Sequence, residues 1–478
     1  MASSKTVITS ILWKLMERFS SQIVSFVISI ILARILSPNE YGIIAVILIF
    51  INLANVFIDG GLNTALIQKK DADQIDFSTI FWFSFFLSGV LYFVLFFSAP
   101  LIARVYNNEI LVPVLRVLSL VLFAYSINSI QRAFISRHML FKELFWVNAV
   151  AVVLSGALGI IMANNDYGVW ALVAQSLTNP FICCTVMWFI IKWRPSFVFS
   201  LSRFQSLFDY GWKIFLSNFI IAVYEDIRGL IIGKVYQPSA LAYFDRGKSL
   251  PSLLMTNVTA SINTVLLPAF ADEQDDVFRV KQMMRRAVQV SYLFVFPLLM
   301  GFLITAKNIV LVLLTEKWLP AVPFVQIFCI AFVLMPIQNV NMTAIKSLGY
   351  SGITLKLEII KKIIEAFILI ASFMINVYAV AWGVVLYNFI CIFINLSPSK
   401  RLVNYSWDEQ LKDIFPTLVA TIIMGIVVYI CSFLPFNPLG VLMIQICLGV
   451  VVYYVACRLL HLEGLEYISI YIKKGLFI

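Results

Sequence analysis

The sequence predicts an all-α polytopic membrane protein of about fourteen transmembrane helices, built as two six-helix lobes in a parallel pseudo-repeat plus an extra C-terminal helix pair. Three observations predict it. Composition is the first: 61% of the 478 residues are hydrophobic and 13% are charged, with a mean hydropathy of +0.94. Soluble domains hold about 45–50% apolar and about 25% charged residues. The second is the recurrence of apolar stretches of about 20 residues, each able to span a hydrocarbon core of ~30 Å as a helix. The third is a motif written twice. "ILARILSPNEYG" (Ile31 to Gly42) and "LIIGKVYQPSALAY" (Leu230 to Tyr243) each end an apolar run with one basic residue, a proline turn and a tyrosine.

The first run opens on Trp13–Lys14 and the seventh on Trp212–Lys213, so the repeat begins before the motif does. Runs centre near residues 22, 54, 90, 122, 153 and 180 in the first lobe (1–200), and near 220, 260, 298, 332, 366 and 388 in the second (201–405). Those near 54, 122 and 260 are the most polar. Two further runs near 422 and 449 carry no charge within their spans and form the extra pair (406–460). They read as lipid-facing packing or a groove for a lipid tail; placed differently, they leave twelve helices. The tail at 461–478 mixes Tyr, Ile and Lys and suits the inner membrane surface. Six helices separate the two motif copies. Both copies therefore enter the membrane in the same direction, as in transporters that rock two halves about a central substrate.

Lys and Arg near helix ends set the orientation. With both termini in the cytoplasm, 25 of the 35 basic residues fall on the cytoplasmic side, Arg132, Lys361 and Lys362 among them, and seven on the outer side. The net charge of +10 is thus a topology signal, and no folded basic module suggests nucleic acid. The first run holds Glu17 and Arg18, is longer than a signal-peptide core and lacks a small-residue cleavage site, so it reads as the first membrane helix. The seven cysteines lie in apolar runs without CxxC spacing, and only His138 and His461 are available beside them. Disulfides and a zinc site are not expected.

The motif residues carry a family resemblance. "LARILSPNEYGIIAV" followed by "FIDGGLNTALIQKKD" (Phe57 to Asp71), and later "IIGKVYQPSALAYFDRGKSLPSLL" with "VLLPAFA" (Val265 to Ala271), resemble the polysaccharide transporter family of the multidrug/oligosaccharidyl-lipid/polysaccharide exporter superfamily, whose members of this kind are Wzx-type flippases. Ala242–Tyr243 stands where that family has Gly–Tyr. The resemblance implies a bacterial inner-membrane protein, not an enzyme, that carries undecaprenyl-pyrophosphate-linked oligosaccharide outward for lipopolysaccharide, O-antigen or exopolysaccharide synthesis. Its implied partners are that lipid-linked glycan, membrane lipids and polysaccharide polymerase machinery.

Such a substrate needs polar walls for sugars, cations for the pyrophosphate and a lateral opening for the polyprenyl tail. At 100° per residue, Arg18, Gln22, Ser25 and Ser29 share one helix face, as do Asn52, Asn55, Asp59 and Asn63, and then Asn257, Ser261 and Thr264. These stripes suit a hydrated cavity or, more plainly, hydrogen bonds that glue helices together. Ionisable residues within the spans are Glu17, Arg18, Asp59, Arg116, Lys213, Glu225, Asp226 and Arg228. Staggered cations could hand a pyrophosphate across; equally, Glu225 could neutralise Arg228 and Lys213 could snorkel to the headgroups. Asp59 and Glu225 are also candidate proton or cation sites, the one coupling agent to be expected in place of a cofactor, and Asp59 beside Gly60–Gly61 suits an unwound segment. Two stretches are read as solvated: "DAD" at Asp71–Asp73, and Lys361, Lys362 and Glu365 with an i,i+4 contact.

Rival readings are a multidrug extruder or lipid II flippase of the same superfamily, a membrane oligosaccharide polymerase or ligase, and a scaffold. An extruder of cations calls for an acidic cavity, and a polymerase for a long outer loop; neither is written here. Reporter fusions after Arg203, Asp275 and Lys400 should report cytoplasm, and fusions after Asn108, Asn165 and Pro438 the outer side. Two contradictions in the first half would discard the orientation.

Overall fold

The computed structural model describes residues 4–69 and 71–467, without the side chains of 4–8, 10, 11, 257, 260–265, 267, 268 and 351. Every regular element among these residues is helical. The chain forms two compact units that divide between Ala242 and Tyr243.

The first unit comprises α1 (Ser4–Ile35), α2 (Pro38–Asp59), α3 (Leu62–Gln68), α4 (Gln74–Tyr106), α5 (Leu111–Leu118), α6 (Val121–His138), α7 (Phe141–Asn164), α8 (Val169–Ile190) and α9 (Leu201–Val235). After α10 (Pro238–Asp272), which carries the division, the second unit runs through α11 (Val277–Leu314), a 3-10 turn (Glu316–Ala321), α12 (Val322–Val333), α13 (Met335–Ser347), α14 (Ser351–Phe373), α15 (Val377–Val403), α16 (Trp407–Ile430) and α17 (Pro438–Leu459). Joining segments across their short breaks, 11 stretches among the described residues are long and apolar enough to cross a membrane. The sequence count of fourteen also includes α9, α10 and α14, which fall outside that set. Charge explains two of the three: Glu225, Asp226 and Arg228 interrupt α9, and five charges from Lys356 to Glu365 interrupt α14. The apolar part of α10 lies largely among side chains outside the described residues.

The repeated motif starts a helix each time. Ser37 caps α2: its hydroxyl accepts from Glu40 N–H while the Glu40 carboxylate accepts from Ser37 N–H at 2.6 Å, and Pro38 fills the first turn, where no backbone donor is needed. In the second copy Gln237 adopts a positive φ of 84° before Pro238 opens α10. Gly60 and Gly61, at φ 45° and 67°, break the second span between α2 and α3, where the sequence suggested unwinding.

Hydrocarbon supplies no hydrophobic force between helices, so they are held by close packing at small residues. In the first unit α9 lies along α2 and α3 in this way. A methyl group added at Gly42 would sit 1.9 Å from the Pro238 carbonyl oxygen, and one at Gly61 2.3 Å from that of Gly211. Between these ends Gly233 faces Val46, Gly229 faces Ile49, and Phe57 packs on Phe215 and Phe219.

The units share an internal plan. A long helix (α4, α11) is followed by a broken span (α5–α6; the 3-10 turn with α12–α13) and a hairpin (α7–α8, α14–α15). In each, an amide on the broken span donates to a carbonyl midway along the last helix: Asn128 to Pro180 at 2.8 Å, and Gln338 to Asn388 at 2.9 Å.

The final pair departs from the sequence reading. α16 begins at Trp407 and takes in Asp413, whose side chain is 4% exposed and bonded to Arg285 of α11. A charge within the first turns of this helix was missed because its apolar run starts later. α17 packs on α11 and α16, with the Tyr453 hydroxyl donating to the Leu293 carbonyl at 2.7 Å.

Gly42→Ala should destabilise the folded protein by about 1–3 kcal/mol, the usual range for overpacking. Gly301→Ala, within α11 and with open space around the added methyl, should be neutral or stabilise by up to about 1 kcal/mol. Melting of the detergent-solubilised protein checks both; an unchanged Gly42→Ala would show that the two turns can separate freely.

Candidate functional site

Polar groups of the first unit gather on six helices. Asp59 ends α2, and the break that follows turns α3 so that Asn63 reaches back: its Nδ2 donates to Asp59 Oδ1 at 3.0 Å. Ser129 of α6 donates its hydroxyl to the same oxygen at 2.7 Å, and Asn63 also contacts Ser129 Oγ. One turn further along α6, Arg132 is exposed and acts electrostatically on the Asp59 carboxylate, the Tyr125 hydroxyl and the Cys183 thiol. On the far side of Cys183, Asn148 of α7 donates to Glu17 of α1 at 2.6 Å and accepts from the Cys183 thiol of α8 at 3.6 Å. The chain of contacts thus joins one guanidinium, two carboxylates, two amides, two hydroxyls and a thiol drawn from α1, α2, α3, α6, α7 and α8.

This arrangement has two chemical capacities. Arg132 offers a planar fork of donors suited to phosphate oxygens, and its exposure leaves that fork accessible. Asp59 presents a carboxylate held by two donors, with Arg132 acting on it electrostatically. Among the described residues no group of His, Cys, Asp and Glu could hold a metal ion.

Of the sequence candidates, the structure brings Asp59 together with Asn63, and places Glu17 in the same cluster. Arg18 is exposed and Gln22 half-buried on α1; Asn52 is exposed and Asn55 half-buried on α2. Ser29 donates to the Phe26 carbonyl of its own helix at 2.9 Å. On α9, Lys213 and Glu225 are exposed, while Asp226 and Arg228 are half-buried. Arg116 lies elsewhere. Its Nε donates to the Phe96 carbonyl at 3.3 Å, and its guanidinium stacks 4.2 Å from the Phe96 ring centre, which ties α5 to α4. The side chains of Asn257, Ser261 and Thr264 lie outside the described residues.

Sequence reasoning missed Ser129, Arg132, Asn148 and Cys183. A signal exists for the first two, which stand three apart on the polar span near 122; Arg132 also lies near the C-terminal end of α6, which the sequence reading places on the cytoplasmic side. Lys361 needs a correction too. It is buried at 6% exposure rather than solvated, and two i,i+3 pairs replace the expected i,i+4 contact: Lys361–Glu358 at 2.7 Å and Lys362–Glu365 at 2.9 Å. Asp73 of the "DAD" stretch is the N-cap of α4. The capping bond from Asp76 N–H, with Arg203 nearby, holds its carboxyl below the usual range.

Comparison with known proteins gives the family and the fold. The lipopolysaccharide biosynthesis protein WzxC of Escherichia coli (strain K12) is 22% identical over 412 residues, 83% of each chain. The succinoglycan biosynthesis transport protein ExoT of Rhizobium meliloti (strain 1021) is 22% identical over 89% of this chain and 86% of its own. Teichuronic acid biosynthesis protein TuaB of Bacillus subtilis (strain 168) is 23% identical over 79% and 78%. Among solved structures, the lipid II flippase MurJ in its inward closed conformation shares the fold at a TM-score of 0.75 and 16% identity, covering 94% of this chain and 98% of that one. An inward-facing MATE-family multidrug transporter shares it at 0.60 and 13% identity, over 80% of this chain and 94% of that one. The family model described as polysaccharide biosynthesis protein matches residues 31–323. This multi-pass membrane chain therefore belongs to the polysaccharide biosynthesis protein family, in agreement with the resemblance of its paired turn motifs to Wzx-type polysaccharide transporters.

Proposed function

We propose that the protein flips an undecaprenyl-pyrophosphate-linked oligosaccharide across the bacterial inner membrane by alternating access, with both termini in the cytoplasm. The observation that carries this reading is Arg132: an exposed guanidinium among the amides and hydroxyls of a membrane bundle whose relatives serve polysaccharide synthesis. A pyrophosphate has the charge and geometry to draw that guanidinium away from Asp59, and amide and hydroxyl groups match the hydroxyls of a sugar. Release of Asp59 from its cation would raise its proton affinity, which links glycan binding to proton or cation exchange. Arg18, Gln22, Asn52, Asn55, Lys213 and Arg228 extend the proposed path as polar or basic positions along α1, α2 and α9.

Replacing Arg132 by Ala should lower export of the glycan about tenfold or more while the protein stays at normal abundance, as loss of one charge-assisted contact of ~1.4 kcal/mol predicts. Lysine should recover part, keeping the charge without the two-point contact. Arg116→Ala should instead lower abundance, because it removes a strut between α4 and α5. Undiminished export in Arg132→Ala would remove Arg132 from the path. A second variant addresses coupling: Asp59→Asn should slow export driven by an imposed proton gradient more than glycan exchange at equilibrium. Equal effects on both would leave Asp59 a structural acceptor.

A further inference from the structure

Helix α9 starts beside the start of α4, and α16 starts beside the start of α11. In the first unit Arg203 of α9 reaches Asp73 at 3.4 Å and Asp76 at 3.7 Å; the Asp76 side chain is fully buried and also bonded to Lys69 at 2.7 Å. At the other end of α4, the Tyr106 hydroxyl donates to the Leu230 carbonyl of α9 at 2.9 Å, and Lys234 meets the Val105 carbonyl. The two helices therefore run parallel. In the second unit Lys281 of α11 holds Glu409 of α16 at 2.8 Å, and Arg285 grips Asp413 through Nε–Oδ2 at 2.9 Å and Nη2–Oδ1 at 2.5 Å. Further along, Gly425 of α16 packs on Met300 and Ile304 of α11, again in parallel.

The registers coincide and the charges are inverted. Ser200 caps α9 by accepting from Arg203 N–H, and Ser406 caps α16 by accepting from Glu409 N–H, each at 3.4 Å. Arg203 and Glu409 thus occupy the same position, three residues past the capping serine. An acid there agrees with the positive end of the helix dipole, but a base opposes it. Arg203 is therefore not placed to stabilise its own helix; its carboxylate partners on α4 account for it. We infer that the helix starts of α4 and α11 are oppositely charged docking cradles, acidic for α9 and basic for α16, so that each accepts its own helix and repels the other's. On this inference α16–α17 is a third, partial copy of the repeat, seated on the second unit as α9 is seated on the first. The basis is ordinary pairing chemistry: like charges brought together disfavour the wrong match more than the right pairs strengthen the correct one.

The test inverts one cradle while preserving its local pairs, in the full-length chain: Lys281→Glu, Arg285→Glu, Glu409→Lys and Asp413→Lys together. Both cradles are then acidic and both docking helices basic. Native seating of the segment leading into α9 is read by oxidative cross-linking of Ser78→Cys with Ser196→Cys, whose hydroxyl oxygens lie 3.0 Å apart. The monodisperse fraction in mild detergent is measured beside it. The inference expects cross-link yield and monodisperse fraction to fall at least about twofold from the uninverted chain. The half-buried-pair swap Lys281→Glu with Glu409→Lys, milder for folding because it leaves the buried Asp413 pair intact, should fall in the same direction and decides the matter if the fourfold variant does not accumulate. Values equal to the uninverted chain in whichever variant accumulates would overturn the inference and leave these pairs as interchangeable struts.

Discussion

A polar group within hydrocarbon must find its partner inside the protein, and most of this structure follows from that constraint. Asp59 is accepted at the end of α2 because the Gly60–Gly61 break brings Asn63 round to it and α6 supplies Ser129. Glu17 is accepted on α1 because Asn148 donates to it. Asp413 is accepted in the second unit because Arg285 grips it from one side and the Tyr405 hydroxyl donates to it at 2.6 Å from the other. Arg132 is the cation beside Asp59, and both are exposed. Its charge and accessibility make it the focus of the functional proposal.

Packing answers a second constraint. With lipid as apolar as leucine, helices adhere where backbones approach closely, and the α2–α9 seam is lined with glycine along its length. The motif repeated in the sequence meets itself there, since Gly42 of the first copy abuts Pro238 of the second. What looked like two copies of one signal is also one contact. The sequence reading divides the chain near residue 200, whereas compactness divides it after Ala242, with α9 held in the first unit by this seam.

Legibility from sequence followed the physical range of each signal. Hydropathy is local, so the order of the spans could be read, as could the break at Gly60–Gly61. Cap chemistry is local as well, and Ser37–Pro38–Asn39–Glu40 announces the start of α2. The seam was not readable, because nothing in "GLIIG" at Gly229–Gly233 names Val46 and Ile49 as its partners. The same holds for the site. Asp59 and Asn63 stood out by spacing on one helix face, but Ser129, Asn148 and Cys183 join them only through tertiary structure. Lys361 was misplaced for a related reason: a basic residue near a helix end has two destinations, headgroup or interior, and only the packed neighbours decide between them. Arg116 shows the reverse, since a cation in mid-span proved to be a strut against Phe96.

The claim that matters most is that this bundle moves a glycan attached through pyrophosphate to a polyprenyl tail. Purified protein in vesicles loaded with a labelled undecaprenyl-pyrophosphate oligosaccharide tests it most directly, with an impermeant reagent that modifies only glycans on the outer face. The account predicts that label sheltered on the inner face becomes reactive with the protein present and stays sheltered without it. It also predicts that a polyprenol lacking the pyrophosphate is not moved. Persistent shelter of the inner label in vesicles whose protein is folded, or equal movement of the uncharged polyprenol, would contradict it.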